Sequence, residues 1–368
     1  MDTDFEIFLA TAPGLEAPLA QEAEAHGFAN PVPSNGGVTI TGGWPEVWRA
    51  NLVMRGANRV LARIGSFRVM HLAQLDKRAR KFPWAEILSP DIPVKVDVVC
   101  RKSRIYHAGA AAQRIETAIK EELGAVVSKD AELKIMVRIE DDLCTISVDT
   151  SGELLHKRGH KVAVNKAPMR ETLAAMFLRQ CGYDGSEPVV DMMCGSGTFV
   201  LEAAEIAMGL CPGRSRNFGF EQFKNFDLEA WEAMKAAQAV RATDLRFHGS
   251  DRDAGAVRMS KANAERAGVD AITGFDVHPL SDATPPEGPK GLVMINPPYG
   301  ARIGNKKILY SVYAGLGQVL KTRFRGWRVG MITSEPSLAK TTGLKFLEPL
   351  PSVSNGGLRI NLYRTGVL

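Results

Sequence analysis

Four apolar runs in the second half of the chain each stop at a side chain that can accept a hydrogen bond. Val189-Val190 ends at Asp191, Leu245–Gly249 leads into Ser250-Asp251, Ile272–Phe275 ends at Asp276, and Gly291–Ile295 ends at Asn296. Helical stretches separate them, Phe199–Met208 after the first and Ala254–Ala267 after the second. Short apolar runs alternating with helices point to a doubly wound, parallel sheet. The carboxyl ends of the strands in such a sheet share one crevice. Asp191, Asp251, Asp276 and Asn296 are therefore expected along one edge.

The turns after these runs narrow the chemistry. Asp191 is followed by Met192-Met193-Cys194-Gly195-Ser196-Gly197-Thr198 and then a helix. Glycines here let the backbone approach a ligand, and the helix start offers unpaired N–H groups. The full G-x-G-x-x-G is absent, and a carboxylate just ahead of the turn would repel a pyrophosphate. A cationic or hydroxyl-rich ligand fits better. The acid after the second strand, Asp251, stands where a ribose diol is gripped, and Asp276 is placed to accept from an adenine amino group. The fourth run leaves through Asn296-Pro297-Pro298-Tyr299. Prolines cannot continue a sheet ladder, because they lack an N–H, and they stiffen the turn by fixing φ.

The first half reads differently. A β-α-β-α-β succession to about residue 65 suggests a small α+β unit. The stretch to about residue 155 adds short strands with helices, as in an open-faced sheet that grips RNA. Arg49–Arg104 holds 13 Lys and Arg against four acids, a local charge of +9 in a chain whose net charge is +5. That is the footprint of a polyanion binder, with a merely solvated face as the plain alternative. The candidate RNA contacts are Lys77, Arg78, Arg80, Lys81, Arg101, Lys102 and Arg104. To these are added Arg158 and His160 of the polar, basic stretch that precedes the second half.

Five cysteines carry no C-x-x-C spacing and the histidines are scattered, so neither a metal site nor a disulfide framework is expected. With no apolar run long enough to span a bilayer and an acidic N-terminus unlike a secretion signal, the expected setting is the cytoplasm, with reduced thiols and no membrane partner.

The pattern strand–Asp–x–x–x–Gly–x–Gly–helix, the acids after the next two strands and the N-P-P-Y turn together resemble the class I S-adenosylmethionine-dependent methyltransferases over most of Ala163–Leu368. N-P-P-Y narrows the resemblance to enzymes that methylate an amino nitrogen conjugated to a planar π system. Asp149-x-Ser151-Gly152-x-x-Leu155-His156-x-Arg158-Gly159, followed by Ala167-Pro168-x-x-Glu171-Thr172-Leu173-Ala174-Ala175, is similar to the THUMP-domain RNA methyltransferases, most of all to the N-terminal guanine-N2 methyltransferase half of RlmL-type 23S rRNA enzymes. Many members have D-P-M/F-C where this chain has Asp191-Met192-Met193-Cys194.

The resemblance implies a ferredoxin-like α+β domain over residues 1–65, a THUMP domain over 66–155, and a Rossmann-like α/β methyltransferase domain with a mostly parallel seven-stranded sheet over 163–368. It implies S-adenosyl-L-methionine as cofactor. Asn165, Pro168, Glu171, Asp191, Cys194, Gly195, Gly197, Thr198, Glu202, Asp251 and Asp276 would form its pocket. The catalytic turn would be Asn296, Pro297, Pro298 and Tyr299. An exocyclic amino group is a poor nucleophile, its lone pair being delocalised into the ring. The Asn296 side-chain oxygen and the Pro297 carbonyl would accept its two hydrogens and stabilise the charge growing on nitrogen, an effect worth roughly 3–4 kcal/mol per well-aimed group. Tyr299 would stack on the base.

The implied partner is structured RNA, 23S rRNA or a large-subunit precursor, methylated at guanine N2. Alternatives are adenine N6 in DNA or RNA, guanine in tRNA, and, from a different class, an RNA-binding protein with a degenerate pocket.

Overall fold

The computed structural model describes residues 4–162, 169–300 and 306–368. The chain divides into two units: residues 1–11, 20–155 and 216–237 form the first, and residues 12–19, 156–215 and 238–368 the second.

The first unit is built on one seven-stranded sheet in the order β2-β3-β1-β4-β7-β6-β5. Its elements in chain order are β1 (Phe5–Ala10), α1 (Glu16–Ala25, from residue 20 on), β2 (Ala29–Ser34), β3 (Gly37–Gly42), α2 (Trp44–Val53), β4 (Arg59–Arg68), α3 (Leu72–Arg80), β5 (Val94–Arg101), α4 (Ala108–Ala118), β6 (Leu133–Glu140) and β7 (Leu143–Asp149). Alternation fixes its faces: β1 buries Ile7 and Leu9, and β6 buries Leu133, Ile135, Val137 and Ile139. All neighbouring strands are antiparallel except β5 and β6, which α4 connects.

Three expectations change here. The edge strand β2, with prolines at 31 and 33, was not evident, because proline argues against a strand except at a sheet edge. The stretch His71–Leu88 has helical spacing, but its helix stops at Arg80. Pro83 has no N–H to extend it, and only one tight turn, Trp84–Glu86, follows. The boundary expected at residue 65 falls inside β4, which pairs with β1 through its first half and with β7 along most of its length. The first two expected domains therefore share a continuous sheet. Residues 216–237 join this unit as well, because Phe220 and Phe226 lie 6.1 and 5.8 Å from Trp48, and Phe223 lies 5.6 Å from Trp44.

The second unit has its own seven-stranded sheet, in the order β10-β9-β8-β11-β12-β14-β13. Its elements, together with α7 of the first unit, run α5 (Glu171–Gln180), β8 (Val189–Asp191), α6 (Thr198–Met208), α7 (Leu228–Ala236), β9 (Phe247–Asp251), α8 (Ala254–Ala267), β10 (Thr273–Val277), β11 (Leu292–Ile295), α9 (Lys306–Arg323), β12 (Arg328–Thr333), α10 (Pro336–Thr341), β13 (Val353–Asn355) and β14 (Leu358–Arg364). The strands β10 to β12 are parallel, while β14 runs antiparallel to β12 and to β13. This is the order and direction of the class I methyltransferase sheet. Every residue of β8 and β11 is buried, as central strands covered on both faces require. The strand order reverses beside β8, between β9 and β11, so the crevice at the carboxyl edge opens there.

Candidate active site

Register brings three of the four acceptors to that crevice. Asp191 pairs with Gly249, so Asp251 stands two residues further along β9, and Asn296 follows directly on β11. Asp276 departs from the expectation. It pairs with Ser250, one step before the Val277–Asp251 pair, and alternation turns it to the sheet face opposite Asp251. A cavity of about 520 Å³ opens at the edge, lined by Met192, Met193, Asp251, Arg252 and Pro298 and walled by α9. That volume suits a small organic ligand, and Asp276 is not among its lining residues.

Asp191 is 2% exposed, and its Oδ1 accepts from the Met193 N–H at 3.0 Å. Burial pushes its pKa up to about 8, and the nearby Asp251 charge adds to the rise. An unfolded Asp ionises near 4. Between about pH 4 and 8 the folded chain therefore holds the extra proton, and its stability falls as pH rises through that window. Asp191→Asn is expected to raise the melting temperature at pH 8, by about 2–4 °C for each kcal/mol relieved, with the gain vanishing near pH 4. Equal gains at both pH values would show that burial of the charge is not the cause.

The glycine turn is held from three sides. Gly195 and Gly197 both adopt positive φ, +54° and +85°. At Gly197 an added Cβ would also lie 3.1 Å from Ser260 Oγ and 3.3 Å from the Phe275 ring. The Gly195 N–H donates to Asp251 Oδ2 at 3.0 Å, while Asp251 Oδ1 accepts from the Asp253 N–H. From α8, Ser260 Oγ donates to the Gly195 carbonyl at 2.9 Å and Asn263 Nδ2 to the Ser196 carbonyl at 3.1 Å. Sequence reasoning passed over Ser260 and Asn263. Their signal was two polar side chains on the apolar face of α8, both fully buried. Cys194 turns inward, with its Cβ near the position a Gly249 side chain would take, and burial holds its thiol well above the usual range. Its side chain is buried, 6% exposed.

The stretch before α5 supplies buried cations. Arg158 Nε lies 3.1 Å from Glu202 Oε1, and the two side chains are 1% and 2% exposed. His160 Nε2 lies 2.7 Å from Glu205 Oε1, which also receives Arg214 at 2.9 Å. The expected RNA contacts Arg158 and His160 are thus buried partners of α6, and Glu202 pairs with Arg158. Lys161, not anticipated as a site residue, links two that were. Its ammonium lies 2.7 Å from Glu171 Oε1 and donates to Thr198 Oγ1 at 2.7 Å, fastening the starts of α5 and α6 together. Asn165 and Pro168 lie outside the described residues.

The N-P-P-Y turn carries one unmet acceptor. Asn296 Oδ1 is buried with no hydrogen-bond partner among the described residues. Leaving such an atom unsatisfied costs about 1–3 kcal/mol. Pro297 is buried and Pro298 reaches the cavity wall. Tyr299 is 7% exposed and close enough to Tyr313 to help raise that phenol's pKa, so its ring is covered rather than standing open to a base.

In the first unit the basic segment is partly spent on internal pairs. Arg59 pairs with Asp149, Arg63 with Glu6 at 2.6 Å, and Arg49 lies over the Phe28 ring at 3.7 Å. Arg80 is bracketed by Asp76, Glu121 and Glu122 at 3.1, 2.6 and 3.0 Å, and the hydrogen bonds it donates to these carboxylates raise its pKa. This removes Arg80 from the expected cluster. Lys77, Arg78 and Lys81 are exposed because α3 buries Leu75 and Ala79 on its other face. Arg101 and Lys102 are exposed at the end of β5. Arg104 is 67% exposed, with Asp142 3.7 Å away.

Comparison with known proteins places this geometry. The family model described as "RMKL-like, methyltransferase domain" matches residues 158–355, that of the RlmL ferredoxin-like domain residues 6–61, and that of the THUMP domain residues 71–149. The "Ribosomal RNA large subunit methyltransferase K/L" of Psychromonas ingrahamii is 34% identical over 353 residues, 92% of this chain but 47% of its own length. The chain thus spans about half the length of that relative. A Synechocystis protein named "Putative RNA methyltransferase slr0064" is 31% identical over 97% of this chain and 95% of its own. The crystal structure of "SMU.472, a putative methyltransferase complexed with SAH" superposes with a TM-score of 0.88 at 25% identity, covering 99% of this chain and 98% of that one. With more than half its residues matched by the methyltransferase-domain model and one relative matched over nearly its whole length, the chain belongs to the RMKL-like methyltransferase family.

Proposed function

We propose that this chain transfers a methyl group from S-adenosyl-L-methionine to an exocyclic amino group of a base in structured RNA, and that the base is a guanine of 23S rRNA, methylated at N2. The observation that carries the reading is the buried Asn296 Oδ1 at the carboxyl edge of β11, without a partner among the described residues and two positions before Pro298, which lines the cavity together with Asp251.

The residues present suit the cofactor. Asp251, on the cavity wall, keeps lone pairs for a ribose diol after accepting from Gly195 and Asp253. The left-handed glycine turn brings backbone rather than side chains to the ligand. Asp191, protonated up to about pH 8 in the free chain, is drawn toward its ionised form by a neighbouring cation. When bound, the cofactor supplies an electrophilic methyl on a sulfonium. Asn296 Oδ1 accepts one amino hydrogen of the base, and the Pro297 carbonyl accepts the other. Both acceptors stabilise positive charge as it grows on nitrogen. Lys161, Ser260 and Asn263 hold the glycine turn so that little reorganisation is needed at reaction.

Residues 66–155 are assigned to RNA capture and residues 163–368 to the chemistry. The curated relative whose name specifies large-subunit ribosomal RNA supports the substrate class. Incubating the chain with 23S rRNA and isotopically labelled cofactor, then digesting to nucleosides for mass spectrometry, tests the whole reading. Labelled N2-methylguanosine is expected. Label in N6-methyladenosine would redirect the base, and no labelled nucleoside would refute methyl transfer to RNA.

The capture surface makes a separate prediction. Replacing Lys77, Arg78 and Lys81 with alanine should weaken RNA binding. It should also make log affinity against log salt shallower by about one unit for each phosphate no longer neutralised. A slope unchanged from wild type would place the phosphate contacts elsewhere.

A further inference from the structure

The N-P-P-Y turn has an unusual mechanical problem. The β11 ladder with β12 is in register from Leu292↔Arg328 to Ile295↔Met331 and goes no further, while β12 continues to Thr333. Pro297 and Pro298 have no N–H, so the turn cannot fasten itself to its neighbour by the usual backbone bonds. A group that must accept a hydrogen at a fixed angle therefore sits on a segment short of donors.

The structure supplies an outside anchor. The first N–H beyond Tyr299, that of Gly300, donates to Glu335 Oε1 at 3.0 Å. Gly300 adopts φ +73°, a conformation that suits glycine. Glu335 stands just past the tip of β12, where its own N–H donates to Thr333 Oγ1 at 3.2 Å, and Thr333 is fully buried. Glu335 occupies the N-cap position of α10 yet makes no side-chain cap bond to that helix. Its carboxyl group is turned to the neighbouring strand's turn instead.

We propose that Glu335 is a positioning residue for the catalytic turn, pinning Gly300 so that Asn296 and Pro297 keep their aim while the amino group reacts. The inference rests on the methyl-transfer reading of the site. It goes beyond that reading in assigning a role to a residue on a different strand, which touches neither cofactor nor base. Because Glu335 acts through the turn, its loss should fall on turnover and not on cofactor affinity.

The test compares Glu335→Ala with Glu335→Gln, which keeps an acceptor oxygen at the same reach. Glu335→Ala is expected to lower kcat by about 10–100-fold, the scale of a misplaced reacting group. Affinity for S-adenosylhomocysteine should stay unchanged, and Glu335→Gln should recover most of the turnover. Alanine that leaves kcat intact, or that weakens cofactor binding in parallel, would overturn the proposal. So would glutamine as damaging as alanine, since that would mean the charge acts directly.

Amide hydrogen exchange at Gly300 in the wild-type chain gives a readout independent of how the variants fold. Protection is expected, and fast exchange would overturn the clamp. A wild-type chain that transfers no methyl would fail the functional reading, while the Gly300 exchange would still report on the clamp alone.

Discussion

Asn296→Ala should leave cofactor binding close to wild type and lower turnover by roughly 10²–10³-fold, the effect of removing one preorganised partner of a developing charge. The reasoning begins with the free chain. Asn296 Oδ1 is already buried and already without a protein partner among the described residues. The chain therefore carries the cost of desolvating that oxygen before any substrate arrives. An amino group entering the site meets an acceptor that needs no reorientation and no loss of water, and the bond strengthens as nitrogen becomes positive. That difference between ground and transition state raises kcat.

Alanine removes the acceptor and also relieves the unmet group, so the variant should fold at least as well as wild type. This separates catalysis from stability. Asn296→Asp keeps an acceptor at the same reach and should retain more turnover than alanine. Single-turnover rates with calorimetric cofactor affinity measure both quantities. Turnover within a few-fold of wild type in Asn296→Ala would remove the assigned role.

How much of this was open to reading follows from the range of the forces involved. Helix α8 was legible to the residue: Ala254–Ala267 was expected and is found. Its limits are local. Asp253 caps the start, with Oδ1 accepting from the Gly255 N–H at 2.7 Å, and Gly268 ends it at φ +71°. The strand tips were legible for the same reason, since an apolar run that stops at an acid is visible in a few residues. Asp276 shows the limit. The apolar run stops before it, but β10 continues to Val277, and the face Asp276 points to depends on a one-residue register that no local pattern fixes.

Long-range pairing of charges was not legible at all. Arg158 and His160 lie in a polar stretch and read as a surface. The contrary signal lay on α6, TFVLEAAEIAM, where Glu202 and Glu205 interrupt an otherwise apolar helix. Carboxylates three apart on such a helix share a face, and buried ones call for cations from elsewhere in the chain. The partners were Arg158, His160 and Arg214. Only the folded backbone shows which basic residues reach them.

That pairing gives the second large effect. Arg158→Met should destabilise the chain by roughly 3–5 kcal/mol, because it takes a buried cation from beside the Glu202 carboxylate, 3.1 Å away in a site that is 2% exposed. The double variant Arg158→Met with Glu202→Met should recover much of the loss. Two apolar side chains of similar volume satisfy one another where a lone carboxylate cannot, and a buried ion pair often holds little advantage over such a replacement. The non-additivity is the diagnostic: each single change is costly and the pair of changes is not. Denaturant unfolding of the wild type, both single variants and the double variant measures the coupling.

The same set decides between the buried and the RNA-facing assignments of Arg158. If Arg158 met a phosphate at the surface, its removal would weaken RNA binding and flatten the salt dependence while leaving stability within about 0.5 kcal/mol. Removing a buried partner of α6 does the reverse, lowering stability and sparing the RNA affinity of the fraction that remains folded. Stability unchanged in Arg158→Met, with RNA affinity reduced, would return Arg158 to the surface.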